Sequence, residues 1–179
     1  MNDSFTKQMS WSESVIHLVI DILSKSLGKI NKASEDDDMN HCVDLVSESG
    51  ITIAVRLRKQ HNIEFRNVLT IRTKVQSGKK TEIDKLRSGI FSKIYFSGIV
   101  SADSSKLLSY KLIDGKKLAS LVSNLELHDV ITNDDGTAMT EIDLNHYGSE
   151  IVLFSFEDKQ AISEIEKKIK NRMLLMIKR

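Results

Sequence analysis

Apolar and polar positions recur with two different periods along this 179-residue chain. The first stretch has the period of a helix. Val15, Leu18, Val19 and Ile22 form one stripe, and Ile16, Ile20, Leu23 and Leu27 form a second beside it. Ser10, with Glu13 three positions on, reads as a capping box opening this helix, and Gly28 reads as its stop. So wide an apolar arc predicts a helix covered on more than one side. The period then falls to two, the mark of half-buried strands, over residues 42–47, 51–58 and 68–75. In the second of these, Ile51, Ile53, Val55 and Leu57 share a face and leave Arg56 and Arg58 opposite. In the third, Leu69, Ile71 and Val75 share a face and leave Arg72 and Lys74 opposite. The matching alternation predicts that these two strands are adjacent, with Arg56 and Arg72 on one cationic face.

Further along, Thr81 with Asp84 predicts a second cap, opening a short helix that Gly89 ends. The latter part of residues 90–100 reads as a strand buried on both faces. Residues 107–113 predict another strand, 116–124 a short helix, and 140–144 and 150–156 late strands. Residues 158–178 predict a terminal helix with Ile162, Ile165, Ile169 and Met173 in line. Residues 1–9 read as a flexible tail, 29–40 as an acidic connector, and 10–179 as one globular domain. Proline is absent, so turns fall to Gly, Asn, Asp and Ser, at 48–50, 113–115 and 133–136. The order helix, three strands, helix, strand implies an α/β (α+β) fold, a central mixed β-sheet flanked by helices with a C-terminal helix.

Composition changes this picture little, but charge placement changes it more. The single cysteine, Cys42, excludes an internal disulfide. No run of about 18 apolar residues is present, and the N-terminus lacks a secretory layout. A cytoplasmic protein with no membrane partner is expected. The net charge of +1 hides strong segregation: residues 56–93 hold eleven cations against Glu64, Glu82 and Asp84, while 35–48 and 101–158 are acidic. Such asymmetry guides an anionic partner.

Most motifs fail on spacing. Gly78-Lys79-Lys80-Thr81 lies between a strand and a helix, but a phosphate loop needs a glycine where Thr73 stands and no extra lysine. Two lysines at a helix start still suit a phosphate. The five histidines do not fall at zinc spacing, and His17, on an apolar helix, reads as a core residue. Residues 133–136 lack the alternating acids of a calcium loop. Asp44 carries the most weight. It either helps to bind a divalent cation facing a phosphodiester or pairs with Arg56 or Arg58. Asp38 is near enough in sequence to share its site.

The helix, then Asp44 at a strand, then Ala54-Val55-Arg56 on the next strand, then another strand and a helix, resembles the restriction-endonuclease-like PD-(D/E)XK superfamily. The segment 38–85, with Leu69-Thr70-Ile71-Arg72 and Lys80-Thr81-Glu82-Ile83-Asp84-Lys85, also resembles uncharacterised proteins of phages and mobile elements. The resemblance covers about residues 11–100 and implies a restriction-endonuclease-like core. In that superfamily an aspartate and an acid-x-lysine hold the metal and organise the attacking water. Asp44 matches the aspartate, but Ala54-Val55-Arg56 supplies no acid, and Arg56 stays protonated and is a poor base. Glu82 or Glu13 would have to supply the missing carboxylate from a helix.

The resemblance therefore implies a nucleic-acid-binding domain of degenerate motif, in which Arg56, Arg58, Arg72, Lys74, Lys79, Lys80 and Arg87 contact DNA or RNA phosphates. If it is active, Asp44 and Glu82, with Asp38 behind them, hold Mg, and no other cofactor is expected. The alternative is a protein–protein module such as a phage factor that blocks a host enzyme, using the acidic 101–158 region or the apolar end at 173–177.

Overall fold

Among the described residues the strands fall into two sheets, and the two arginine-bearing segments lie in different ones. The computed structural model describes residues 3–75, 79–126, 131–132 and 136–177, without the side chains of 3–9, 39 and 169–177. In chain order the elements are α1 (Asp3–Leu27), β1 (Ile30–Lys32), α2 (Glu35–His41), β2 (Leu45–Ser47), β3 (Thr52–Lys59), a 3-10 helix (Gln60–Asn67) and β4 (Val68–Lys74). Then come α3 (Glu82–Arg87), β5 (Ile94–Val100), β6 (Leu107–Asp114), α4 (Gly115–Asn124) and β7 (Ile131–Thr132). The last are β8 (Ala138–Asp143), α5 (Leu144–Ile151), β9 (Val152–Glu157) and α6 (Lys159–Ile177).

The large sheet has the order β1-β2-β3-β5-β6-β9. Only β3 and β5 run parallel, and the other neighbours are antiparallel. A parallel pair needs a long crossover, and residues 60–93 supply it with the 3-10 helix, β4 and α3. The small sheet, β4-β8-β7, is antiparallel throughout. The fold is thus mixed α/β, a central six-stranded mixed sheet flanked by helices with a C-terminal helix.

Both faces of the large sheet are covered at its centre. α1 lays Val15, Val19 and Leu23 on one face, against Ile53 and Phe96. Its second stripe is only half buried at Ile16 and Ile20. On the other face, α3, α4, α5 and the small sheet close over Ala54, Tyr95 and Ile113. Leu69 and Ile71 of β4 and Ile142 of β8 point into this second core. β4 thus belongs to the covering layer and does not join β3. Alternation tells which side chains share a face, but not which strand lies alongside. Arg56 and Arg72 therefore do not share a sheet face, contrary to expectation.

Other sequence expectations need correcting. α1 starts at Asp3, so Ser10 and Glu13 are helix-interior positions and no capping box opens there. His17 is exposed, with its ring nitrogen 2.9 Å from the Ser14 carbonyl. The acidic connector holds β1 and α2. Ser34 caps α2 by accepting from the Asp37 N–H, and Glu35, Asp36, Asp37 and Asp38 fill its first turn, where a helix dipole favours acids. Cys42, at φ 56°, ends α2, so the following strand starts only at Leu45. Residues 113–115 make no turn: Asp114 caps α4 directly after β6. A Cβ on Gly115 would lie 1.8 Å from the Ser92 carbonyl oxygen. The 3-10 helix, β7 and α5 were not anticipated. The turn before Ile51, the Thr81–Asp84 capping box, the doubly buried β5 and the terminal helix were. Gly78 and residues 133–135 lie outside the described residues, as do the side chains of Ile169, Met173 and 174–177.

Candidate functional site: a half-buried Asp–Arg–Glu cluster and an open cleft

Arg56 projects from β3 toward α3, into the layer between the large sheet and its covering helices. One guanidinium nitrogen lies 2.7 Å from a Glu82 carboxylate oxygen and another lies 3.5 Å from Asp44. The first is a charge-assisted hydrogen bond, the second a looser ionic contact. Asp44 is held just before β2 by accepting the Val55 N–H at 2.6 Å. Glu82, at the first turn of α3, also lies 3.4 Å from the Arg72 N–H. The cap at Thr81 fixes the start of α3 and thereby aims Glu82 inward: Thr81 accepts from the Asp84 N–H, and Asp84 accepts from the Thr81 N–H and hydroxyl.

The electrostatics follow from burial. Glu82 keeps only 9 % of its side-chain surface, against 29 % for Asp44 and 32 % for Arg56. Burial works against the Arg56 charge, but Glu82 and Asp44 more than offset it and hold its pKa above the ordinary range. Burial pushes the Asp44 carboxyl up, and at 3.5 Å Arg56 is too distant to cancel that, even with the Val55 N–H helping. Tyr95 lines the same space. Its hydroxyl is buried with no hydrogen-bond partner among the described residues, and burial and then Glu82 raise its pKa. Cys42 is buried, and burial and then Glu82 push its thiol up, so a thiolate nucleophile is disfavoured.

These residues do not fit the expected metal site. A guanidinium stands between the two carboxylates that would have to share the ion, bonded to Glu82 and in looser contact with Asp44. Asp38 is exposed on α2, near enough for its charge to act on Asp44. Glu13 is exposed on α1, which covers the other sheet face. Among the described residues no three His, Cys, Asp or Glu side chains gather closely enough to hold a metal ion.

Arg58 is also engaged internally. It donates to the carbonyls of Phe65 (2.8 Å) and Val68 (2.6 Å) and to the Thr70 hydroxyl (3.2 Å). Burial lowers its pKa. It thus ties the end of β3 to the start of β4, and it borders a cleft of about 600 Å³. The cleft opens at the carboxyl end of β3, between α1, the 3-10 helix and the outer face of the small sheet. Trp11, Lys59, His61, Phe65, Met139 and Glu141 are among its walls. The Lys59 ammonium stands 5.2 Å from the Trp11 ring centre, and the Arg58 guanidinium 5.9 Å from that of Phe65.

Of the seven predicted phosphate contacts, five remain open to solvent: Arg72, Lys74, Lys79, Lys80 and Arg87. Arg87 donates to the Leu125 carbonyl at 3.2 Å. Among the described ion pairs none uses any of the five. Arg72 is paired in register with Met139, a cleft residue. The open cations therefore follow one another along the chain, from Arg72 beside a cleft residue to Arg87 on α3. Sequence reading missed Trp11, Phe65 and Lys59, which are far apart in the chain and meet only when the crossover closes. Among the described residues no helix is long and apolar enough to cross a membrane. Compared with known proteins, the chain matches no family model and no curated sequence.

Proposed function

We propose that this chain is a nucleic-acid-binding domain of nuclease-like design that holds its ligand without cutting it. The observation that carries the binding is the run of open cations from Arg72 to Arg87 leading from a cleft with aromatic walls. Cations along a groove take the phosphates, while aromatic faces stack bases whatever their sequence. Trp11 and Phe65 supply such faces, which a duplex cannot use because its bases are already stacked. The reading is therefore single-stranded DNA or RNA. The nuclease-like design rests on the resemblance and on Asp44, Arg56 and Glu82 converging from a strand start, the next strand and the following helix. The absence of cutting rests on Arg56, which occupies the place between the acids and cannot serve as a base.

A salt-dependent titration with a labelled single strand tests this. Five phosphate contacts give a slope of log K on log salt of about −3.5 for a single strand. Replacing Arg72, Lys74, Lys79 and Lys80 with alanine reduces that slope to about −1 or less. Trp11→Ala and Phe65→Ala weaken binding by about 1–3 kcal/mol per base lost and leave the slope unchanged. No binding at low salt, or equal binding by the fourfold variant, refutes the proposal. Cleavage with Mg or Mn that is lost in Asp44→Ala refutes the non-catalytic part alone.

A further inference from the structure

The large sheet ends on two very different strands. At one edge, β1 is three residues long, contains Lys32 and follows Lys29. Short, charged edges discourage another strand from pairing. At the other edge, β9 is six residues long, Val-Leu-Phe-Ser-Phe-Glu, with no proline and no charge before its last residue. Leu153, Phe154 and Phe156 are 56 %, 50 % and 42 % exposed. The rings of Phe154 and Phe156 lie 5.8 and 5.3 Å from Tyr110, which stacks at 5.2 Å on Phe96 under α1. The aromatic core on the α1 face thus runs out to the edge of the sheet and stops uncovered.

We infer that β9 is a homodimer edge, pairing antiparallel with β9 of a second copy to make one continuous twelve-stranded sheet. The occupant is read from the strand itself. In an antiparallel pair, opposed residues point to the same face, and a two-fold axis through the pair keeps each face with its like. The ladder to β6 shifts register at Leu153, so the regular part of β9 is 154–157 and the axis falls on Ser155, which places Phe154 opposite Phe156, ring on ring. The one acid on the strand does not oppose this. Glu157 lies 3.6 Å from Arg66 and 4.0 Å from Lys111 of its own chain, and Asp158, next along, is bonded at 2.8 Å by Lys106. In an antiparallel pair, moreover, Glu157 lies opposite an apolar residue of the second copy, so the two acidic ends stay apart. A strand so neutral and self-matching fits its own copy, whereas a basic partner would find its counter-charges already taken.

Sedimentation equilibrium of the full chain tests the association. The expected mass is twice 20.3 kDa at high micromolar concentration. Phe154→Lys/Phe156→Lys, at exposed positions, keeps the circular dichroism of the wild type. It raises the dimer dissociation constant about thirtyfold or more. A cysteine scan then locates the axis, because a residue cross-links to its own copy only where the two strands cross. A single cysteine at 155 oxidises to a covalent dimer, while Asn31→Cys on β1 does not. A monomer at every concentration overturns the inference, as does a dimer that the double lysine variant leaves intact or that cross-links at 31.

Discussion

Replacing Arg56 with methionine separates an internal cation from a ligand-binding one. The side chain keeps an unbranched apolar stem and loses the guanidinium, leaving Glu82, only 9 % exposed, without its 2.7 Å partner. Breaking a fully buried ion pair by removing one member costs about 3–5 kcal/mol, because a desolvated charge is left behind. Here Arg56 keeps 32 % of its surface and Asp44 29 %, so water relieves part of that penalty and about 2–4 kcal/mol is expected. For a chain of this size each kcal/mol moves the melting point by about 2–4 °C, so thermal unfolding should fall by about 4–16 °C. Glu82→Gln in the Arg56→Met background removes the stranded charge and recovers part of the loss, giving a coupling energy of at least about 1 kcal/mol in the double-mutant cycle. Urea denaturation followed by circular dichroism measures all four proteins. If Arg56→Met unfolds within about 0.5 kcal/mol of wild type but binds single strands far more weakly, Arg56 is a ligand contact and the cluster has been misread.

Asp44→Ala orphans the Val55 N–H and should cost about 1–3 kcal/mol in urea denaturation, while Asp44→Asn, whose amide oxygen can still accept, should cost less; equal losses would show that the hydrogen bond is not what Asp44 provides. The Asp103 carboxylate accepts from the hydroxyls of Ser101 and Ser105 and from the Ser105 N–H, which hold its pKa at about 2. Its contribution to stability is therefore present above the unfolded value of about 3.9 and lost as pH falls through about 2, and a carbon-detected NMR titration should give that midpoint. Asp44 has the opposite sign: burial raises its pKa, so the advantage of its protonated form is present below about 3.9 and lost as pH rises through the raised native value. An NMR midpoint for Asp44 below about 3.9 would contradict this. Gly115→Ala, which puts a Cβ 1.8 Å from a backbone carbonyl, should destabilise more in thermal unfolding than Gly98→Ala, whose Cβ meets only side chains at 3.0–3.2 Å.

What could be read from the sequence was whatever one segment decides alone. The Thr81–Asp84 cap, the face shared by Ile53, Val55 and Leu57, and the doubly buried β5 each depend on a few consecutive residues. Sheet membership did not follow, because Leu69 and Ile71 bury equally well beside β3 or in a second layer. Ala54 settles the matter, since a small residue on the far face of β3 lets that layer approach. At the site, Asp44 with Arg56 could be anticipated because an acid opposite an arginine pairs with it. Glu82 came from the resemblance alone. Acids 35–38 looked like a solvated loop because a seven-residue helix is too short to show a period. The cleft could not be foreseen, since Trp11, Phe65 and Met139 belong to three separate elements.

The division into two sheets also sets the timing of biosynthesis. β3, β5 and β6 are all available once residue 114 has emerged, so the large sheet can close early. β4, which lies between β3 and β5 in sequence, must wait for β8, which ends at Asp143, about seventy residues later. At about 5–20 residues per second on a ribosome, that wait is about 4–14 s. Throughout it Leu69 and Ile71 have no strand partner, and Ala54 and Tyr95 lack the small-sheet part of their cover. A nascent chain stalled between residues 114 and 143 thus presents a half-built core to its surroundings.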